Sequence, residues 1–282
     1  MEDTLQYPHS AWLWNYAAGW GRNNFPTERM LGDELNRVGP GMVFSQIVAA
    51  NAAFVFRAVS ELHDQGVKQF IDLGPGIPAN AREELPTHPK SLYGTVLRDH
   101  DDARVVYVDH DPLVLTHARA LRDVAGQVLV IEGDIFEPKQ VLDHADLEQF
   151  IDRDKPIGLI CTGVLHEHSG AVAEVAEVMA TYADWLPGGS FTVISHLLDT
   201  EDKHTKDIVE PLQQILQGTT GRCRFRTLAE IVSLFPQQEL LDPGVVRCRQ
   251  WRNPDYNELL AGQDWIGIAG GVGRVLDPSG HT

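Results

Sequence analysis

Cysteine is nearly missing from this sequence. Cys161, Cys223 and Cys248 are the only three. They lie far apart without a CxxC pair, which excludes a disulfide framework and a cysteine-rich zinc site. Basic residues are scarce as well: 23 Lys and Arg stand against 40 Asp and Glu, a formal net charge of −17. A field of that sign repels phosphate backbones, so nucleic acid is not an expected partner, but it does not repel a cation. No apolar run reaches about 18 residues, and the opening MEDTLQYPHS lacks the basic region of a leader. A cytoplasmic protein without a membrane partner is therefore expected. Internal repeats, low-complexity segments and the GxSxG elbow of a serine hydrolase are also missing. What is present is ordinary in bulk. Apolar residues at 43% and charged residues at 22% exclude disorder, collagen and coiled coil. At roughly 100–200 residues per domain, the 282 residues allow one large domain or two small ones, and a core needing no staples.

The first forty residues read as irregular, with Trp12, Trp14, Tyr16, Trp20 and Phe25 set among glycines and prolines. From Phe44 to Leu62 the apolar residues recur at helical spacing, and Gly66 ends the helix. Five short apolar runs follow: 67–74, 104–109, 128–134, 157–163 and 190–195. Segments of helical pattern alternate with them: ANAREEL after the first run, 112–124 with Pro112 in the first turn, 147–152, and 171–186 closed by Pro187-Gly188-Gly189. This alternation predicts a parallel sheet covered by helices on both faces. Helices are expected at about 203–217 and 227–235. Strand-like segments at 244–251 and 264–273 could form a hairpin on the sheet edge. The expected fold is α/β: a Rossmann-like, doubly wound, mostly parallel seven-stranded sheet. Residues 1–65 form an N-terminal helical and aromatic lid, and residues 66–282 form the core, with an insertion at about 200–226.

In an open parallel sheet, ligands bind beyond the carboxyl ends of the strands. The first strand ends in Asp72-Leu73-Gly74-Pro75-Gly76-Ile77-Pro78-Ala79. This is formally GxGxxA, a weak dinucleotide signature. Pro75 and Pro78 have no N–H to offer a pyrophosphate, and Asp109 lies further on than the usual ~20 residues. A ligand without phosphates suits the turn better. The second strand ends in Asp109-His110-Asp111-Pro112. A carboxylate there can accept from both hydroxyls of a ribose, while Asp111 before Pro112 reads as a helix N-cap. The third ends in Glu132-Gly133-Asp134-Ile135, an acceptor beside a free N–H that fits the edge of an adenine.

These acids and glycines, in this order, resemble the class I methyltransferases that use S-adenosylmethionine. The chain is similar, more narrowly, to the actinobacterial S-adenosylmethionine methyltransferase group once classed as a domain of unknown function. In that group a Tyr-x-x-Gly-Gly-Lys-Asp-Asn-Phe segment precedes the core. Here Tyr16-Ala-Ala-Gly19-Trp20-Gly21-Arg22-Asn23-Asn24-Phe25 stands in its place, one residue longer. Asn51, FIDLGPGIP, VVYVDHDP, HARAL, PIGL with GVLH, the run from Trp251 to Pro254, and GGVGR also match. The resemblance implies that Asp72, Gly74 and Gly76 line the methionine part, that Asp109 holds the ribose, and that Asp134 with Ile135 holds the adenine. His110, Thr162, and Arg22 and Asn24 of the lid complete the expected cofactor set. S-adenosylhomocysteine would be the product.

The fourth strand leads into Thr162-Gly163-Val164-Leu165-His166-Glu167-His168. His166 is a candidate base near neutral pH, Glu167 could assist it or act alone, and Tyr16 is the lid's catalytic candidate. The His166–His168 pair has no third ligand, so no metal is expected. Ser195 and His196, ending the fifth strand, would line an acceptor pocket. The expected activity is methyl transfer to a small-molecule acceptor, such as an aromatic secondary metabolite, with a homodimer allowed. Two rival readings are a non-catalytic S-adenosylmethionine-binding sensor or scaffold, and an NAD(P)-dependent oxidoreductase.

Overall fold

Runs rich in Val and Ile become strands because branched side chains pack well on a pleated surface, and runs apolar throughout demand burial on both faces. In a computed structural model of the chain, residues 8–19, 25–77, 102–120, 126–200, 202–256 and 267–276 are described. The five parallel strands are β1 (Gln69–Leu73), β2 (Arg104–Asp109), β3 (Val128–Glu132), β4 (Ile157–Thr162) and β5 (Phe191–Leu197). Three further strands are β6 (Gln238–Leu240), β7 (Val246–Arg247) and β8 (Ile268–Val275). The sheet runs β3-β2-β1-β4-β5-β8-β6, and β7 also pairs with β8. β8 lies antiparallel to β5, with Ser195 opposite Gly270. The fold is thus Rossmann-like and doubly wound, with an antiparallel edge.

The helices are α1 (Ser10–Ala17), α2 (Pro26–Arg37), α3 (Val43–Asp64), α4 (Pro112–Ala120), α5 (Pro138–Leu142), α6 (Ala145–Phe150), α7 (Val172–Trp185), α8 (Lys203–Thr220) and α9 (Leu228–Val232). Strand side chains alternate between two cores. Phe70, Val105, Tyr107, Ile160 and Val193 meet Phe44, Ile47, Phe54 and Leu62 of α3 on one face. Ile71, Val106, Val108, Leu159 and Ile194 meet Val175, Met179 and Tyr182 of α7 on the other. By length and composition α3 could cross a membrane, but here its apolar stripe is packed on the sheet.

The structure corrects several expectations. Residues 10–17 and 26–37 are helical, not irregular. Their glycine-bounded, aromatic sequences hide the periodicity. Segment 244–251 contributes only the two residues of β7. Arg57 of α3 captures the carbonyls of Cys248 at 2.6 Å and Trp251 at 2.8 Å, turning them away from a sheet partner. The edge strand β6 and the short helix α5 escaped notice, being too short for periodicity to register. Among the described residues the sheet therefore has eight strands. The ANAREEL segment lies outside the described residues.

α3 sits close on the sheet because glycines make room for its rings. A Cβ on Gly270 would come within 2.8 Å of both the Phe54 ring and the Ile194 carbonyl oxygen. The carbonyl belongs to a strand and cannot swing aside, so overpacking must move backbone. Gly270→Ala is expected to destabilise the protein by about 1–3 kcal/mol, read as a lower urea midpoint. An unchanged midpoint would show that β8 and α3 yield freely.

Candidate functional site

The carboxyl ends of β1, β2 and β3 meet at one cavity of about 910 Å³. Its lining includes Asp72, Gly74 and Gly76 after β1; Asp109, His110 and Asp111 after β2; and Asp134, Ile135 and Phe136 after β3. Thr162 and Glu167 come from β4 and its loop. The opposite wall is α1 from Pro8 to Ala11 with Trp14, Asn51 and Val55 of α3, and Thr219 and Arg222 at the end of α8.

The β1 turn needs glycine twice. Gly74 has φ +67° and would drive a Cβ to 2.6 Å from Val164, while Gly76 has φ +62° with nothing within 4 Å of a Cβ. The first is a packing constraint, and the second leaves the backbone open for close approach. Asp109 is 8% exposed; its Oδ1 accepts the Asp111 N–H at 2.9 Å, and its carboxyl also accepts from the His110 backbone. Asp111 Oδ1 accepts the Leu113 N–H at 2.8 Å, as a helix cap should. Its Oδ2 lies 3.2 Å from His9 Nδ1, which fastens the start of α1 to the start of α4. Asp134 Oδ1 accepts from Phe136 N–H at 2.9 Å. The carbonyl of Ile135 is held by the Tyr182 hydroxyl at 3.0 Å.

Electrostatics mark the same residues. Burial and the neighbouring charge of Asp109 push Asp72 up to about 7. Burial also raises Asp109, against the bond from the Asp111 backbone. Glu167 is raised by burial, moderated by a hydrogen bond from Ser10.

Several expected residues lie elsewhere. His166 is 3% exposed and lies behind the wall, its ring 5.8 Å from that of Trp14 and 6.2 Å from that of His196. Burial, with the Arg226 charge, lowers it to about 3, so it is a poor base at neutral pH. The next residue, Glu167, takes the cavity position instead. Tyr16 rests its ring over Gly32, where a Cβ would meet it at 2.4 Å, and its hydroxyl donates to Asp33 at 2.6 Å. It is not among the described lining residues. Ser195 and His196 are fully buried: the Ser195 hydroxyl donates to Asn51 Oδ1 at 2.5 Å, and His196 faces Arg226. Trp12 packs on Phe25 and His117 rather than on the cavity. Arg22 and Asn24 lie outside the described residues. Sequence reasoning missed Ser10, Val55, Thr219 and Arg222 on the wall. Only a polar Asn51 on the apolar stripe of α3 gave a signal.

The donor set suits a phosphate-free, cationic nucleoside. Pro75 removes one N–H from the turn, and buried carboxyls raised in the free cavity gain from a positive partner. S-adenosylmethionine fits that description, and NAD(P) does not. A family model of S-adenosyl methyltransferases matches residues 3–276. A solved Thermobifida fusca protein assigned as a methyltransferase is 30% identical, with a TM-score of 0.84 over 97% of each chain. A Streptomyces avermitilis protein of the DUF574 family is 26% identical, with a TM-score of 0.81 over 97% of this chain and 99% of its own. An O-methyltransferase family protein from Burkholderia thailandensis, 14% identical with a TM-score of 0.52, covers 86% of this chain and 62% of its own and shares the fold alone. No curated protein matches the sequence. The chain belongs to the S-adenosyl methyltransferase family, whose cofactor is S-adenosylmethionine.

Proposed function

We propose that the cavity binds S-adenosylmethionine along the ends of β1 to β3 and directs its methyl group to a small-molecule acceptor on the α1 side. The observation that carries this reading is the convergence of Asp72, Asp109 and Asp134, from three successive strands, on one cavity beside the open Gly76. Asp72 with Gly74 and Gly76 takes the methionine part, the Asp109 carboxylate the ribose, and Asp134 with Ile135 the adenine. His110 and Thr162 close the sides. When bound, the cofactor supplies a methyl group on a cationic sulfur to an in-line nucleophile.

The protein's own work is positioning, exclusion of water and proton traffic. Within residues 1–65, expected as a lid, α1 is the part that serves as one: it lies over the strand ends and is pinned there by His9 on Asp111, while α3 packs on the sheet. Glu167 replaces His166 as the group that exchanges a proton with the acceptor. A cavity of about 910 Å³ leaves space for an acceptor of metabolite size beside the cofactor. The cytoplasmic setting and secondary-metabolite role belong to this same reading.

Calorimetry should give binding of S-adenosylmethionine and S-adenosylhomocysteine but not of NAD. Asp109→Ala should weaken both by roughly 10- to 100-fold, the worth of a charged hydrogen-bond acceptor. Unchanged affinity in the variant would sink the ribose assignment. Affinity should also depend on pH. The free protein holds Asp72 protonated below about 7, and a cationic ligand favours its ionised form. Binding below that pH must therefore expel a proton. Affinity should climb from pH 6 toward pH 7 and level off above it. A flat profile would show that Asp72 does not face the positive end of the ligand. Tyr16→Phe should leave cofactor affinity within about twofold and lower stability by about 0.5–1.5 kcal/mol through the lost Asp33 bond. A tenfold loss of affinity with unchanged stability would return Tyr16 to the site.

A further inference from the structure

We infer that the methyl acceptor is a cationic amine, an ammonium held between Glu167 and the face of Trp14 and methylated on nitrogen. This rests on the cofactor reading above and names the substrate class for the same cavity.

Among the described residues the cavity is lined by five carboxylates, Asp72, Asp109, Asp111, Asp134 and Glu167, and by one Lys or Arg, Arg222. Four of the carboxylates already have tasks. Asp72, Asp109 and Asp134 face the cofactor, and Asp111 caps α4 and pairs with His9. Glu167 is left. It sits in the loop after β4, and Ser10 holds it from the lid. Trp14 shares that wall, its indole stacked so closely over the β4 turn that a Cβ on Gly163 would touch it at 3.0 Å. An aromatic face beside a buried carboxylate selects a positive head group. His166, the other titratable group of the loop, is turned behind Trp14 and brings no charge.

Charge movement during transfer favours the same class. Once Glu167 has taken the ammonium's proton, the neutral amine gains positive charge as it attacks, and the other carboxylates of the cavity stabilise that transition state more than the ground state. An oxyanion formed from a phenol or alcohol would instead have to develop among five carboxylates. The step balances as follows. The bound ammonium gives one proton to the Glu167 carboxylate, and burial makes that carboxyl a better acceptor than an exposed one. The nitrogen lone pair forms the new N–C bond. The S–C bond breaks with its electron pair on sulfur, leaving neutral S-adenosylhomocysteine and a methylated ammonium, and Glu167 then loses its proton to water.

The test uses the full chain loaded with S-adenosylhomocysteine, so that no turnover intervenes. Three probes share one ring and differ in head group: phenethylamine, 2-phenylethanol and phenylacetate. Calorimetric titration should rank phenethylamine roughly tenfold or more above 2-phenylethanol, with phenylacetate weakest. In Glu167→Gln that preference should fall to about threefold or less, while S-adenosylhomocysteine affinity stays as in the wild type. Equal or absent binding of the three probes, preference for phenylacetate, or an amine preference that survives in Glu167→Gln overturns the inference. Failure of the wild type to bind S-adenosylhomocysteine at all is a different result, and it overturns the cofactor reading beneath.

Discussion

The loop that carries the chemistry depends on one buried guanidinium. Arg226 is 0% exposed and has no carboxylate partner among its bonds. It donates to the carbonyls of Leu165 at 3.2 Å, His168 at 3.0 Å and Gly170 at 3.3 Å, and to His196 Nε2 at 2.7 Å. A buried charge is costly unless its donors are met, and the carbonyls of the β4 loop converge on the two terminal nitrogens of Arg226, leaving Nε alone without a partner. Because His196 accepts on Nε2, its proton sits on Nδ1, which lies 2.8 Å from the Leu197 carbonyl. His166, in the same pocket, is kept neutral by burial and by this cation. With the loop fixed through residues on both sides of Glu167, that side chain has one direction left, into the cavity. Arg57 does the same on the α3 side, tying the carbonyls of Cys248 and Trp251. Both basic side chains brace backbone, and the acids of the cavity keep their charge for the ligand.

This dependence explains what could be read in the sequence. The strand ends were legible because four of the five apolar runs stop at a glycine or an acid, and β1 to β5 lie within about two residues of the expected spans. Asp72, Asp109 and Asp134 follow from that alone, since a parallel sheet delivers its carboxyl ends to one edge. The β4 loop was legible only in part. His166, Glu167 and His168 are consecutive polar residues, and nothing local says which one faces the ligand. The decision is made by Arg226, some sixty residues later, whose RCRFR context carries no periodic signal. The position of Tyr16 was hidden for a similar reason. Its place is set by the space over Gly32 and by Asp33, both on a helix whose pattern was masked by its neighbours. At the far edge, β6 and β7 are three and two residues long, too short for alternation to emerge.

The cavity's electrostatics follow from the same division of labour. Two carboxyls, the half-buried Asp72 and the buried Asp109, lie near each other, with no Lys or Arg among the described residues acting on either and only His110 offsetting Asp109, and each is raised. For a carboxyl whose folded pKa exceeds its unfolded one, the folded state binds the proton more tightly. The free protein therefore loses stability as pH rises from about 4 toward about 7. Such an arrangement costs the fold something and gains nothing from packing, so its compensation must lie in a partner. A phosphate would aggravate it and a neutral ligand would leave it as it stands. A sulfonium or an ammonium would relieve it. The same reasoning connects ligand and acceptor. Methyl transfer removes the positive charge from sulfur, and among fixed carboxylates that loss is least costly when the charge passes to the acceptor nitrogen. The net charge of the site is then the same before and after the chemical step, and the acids that attract the first cation also hold the second.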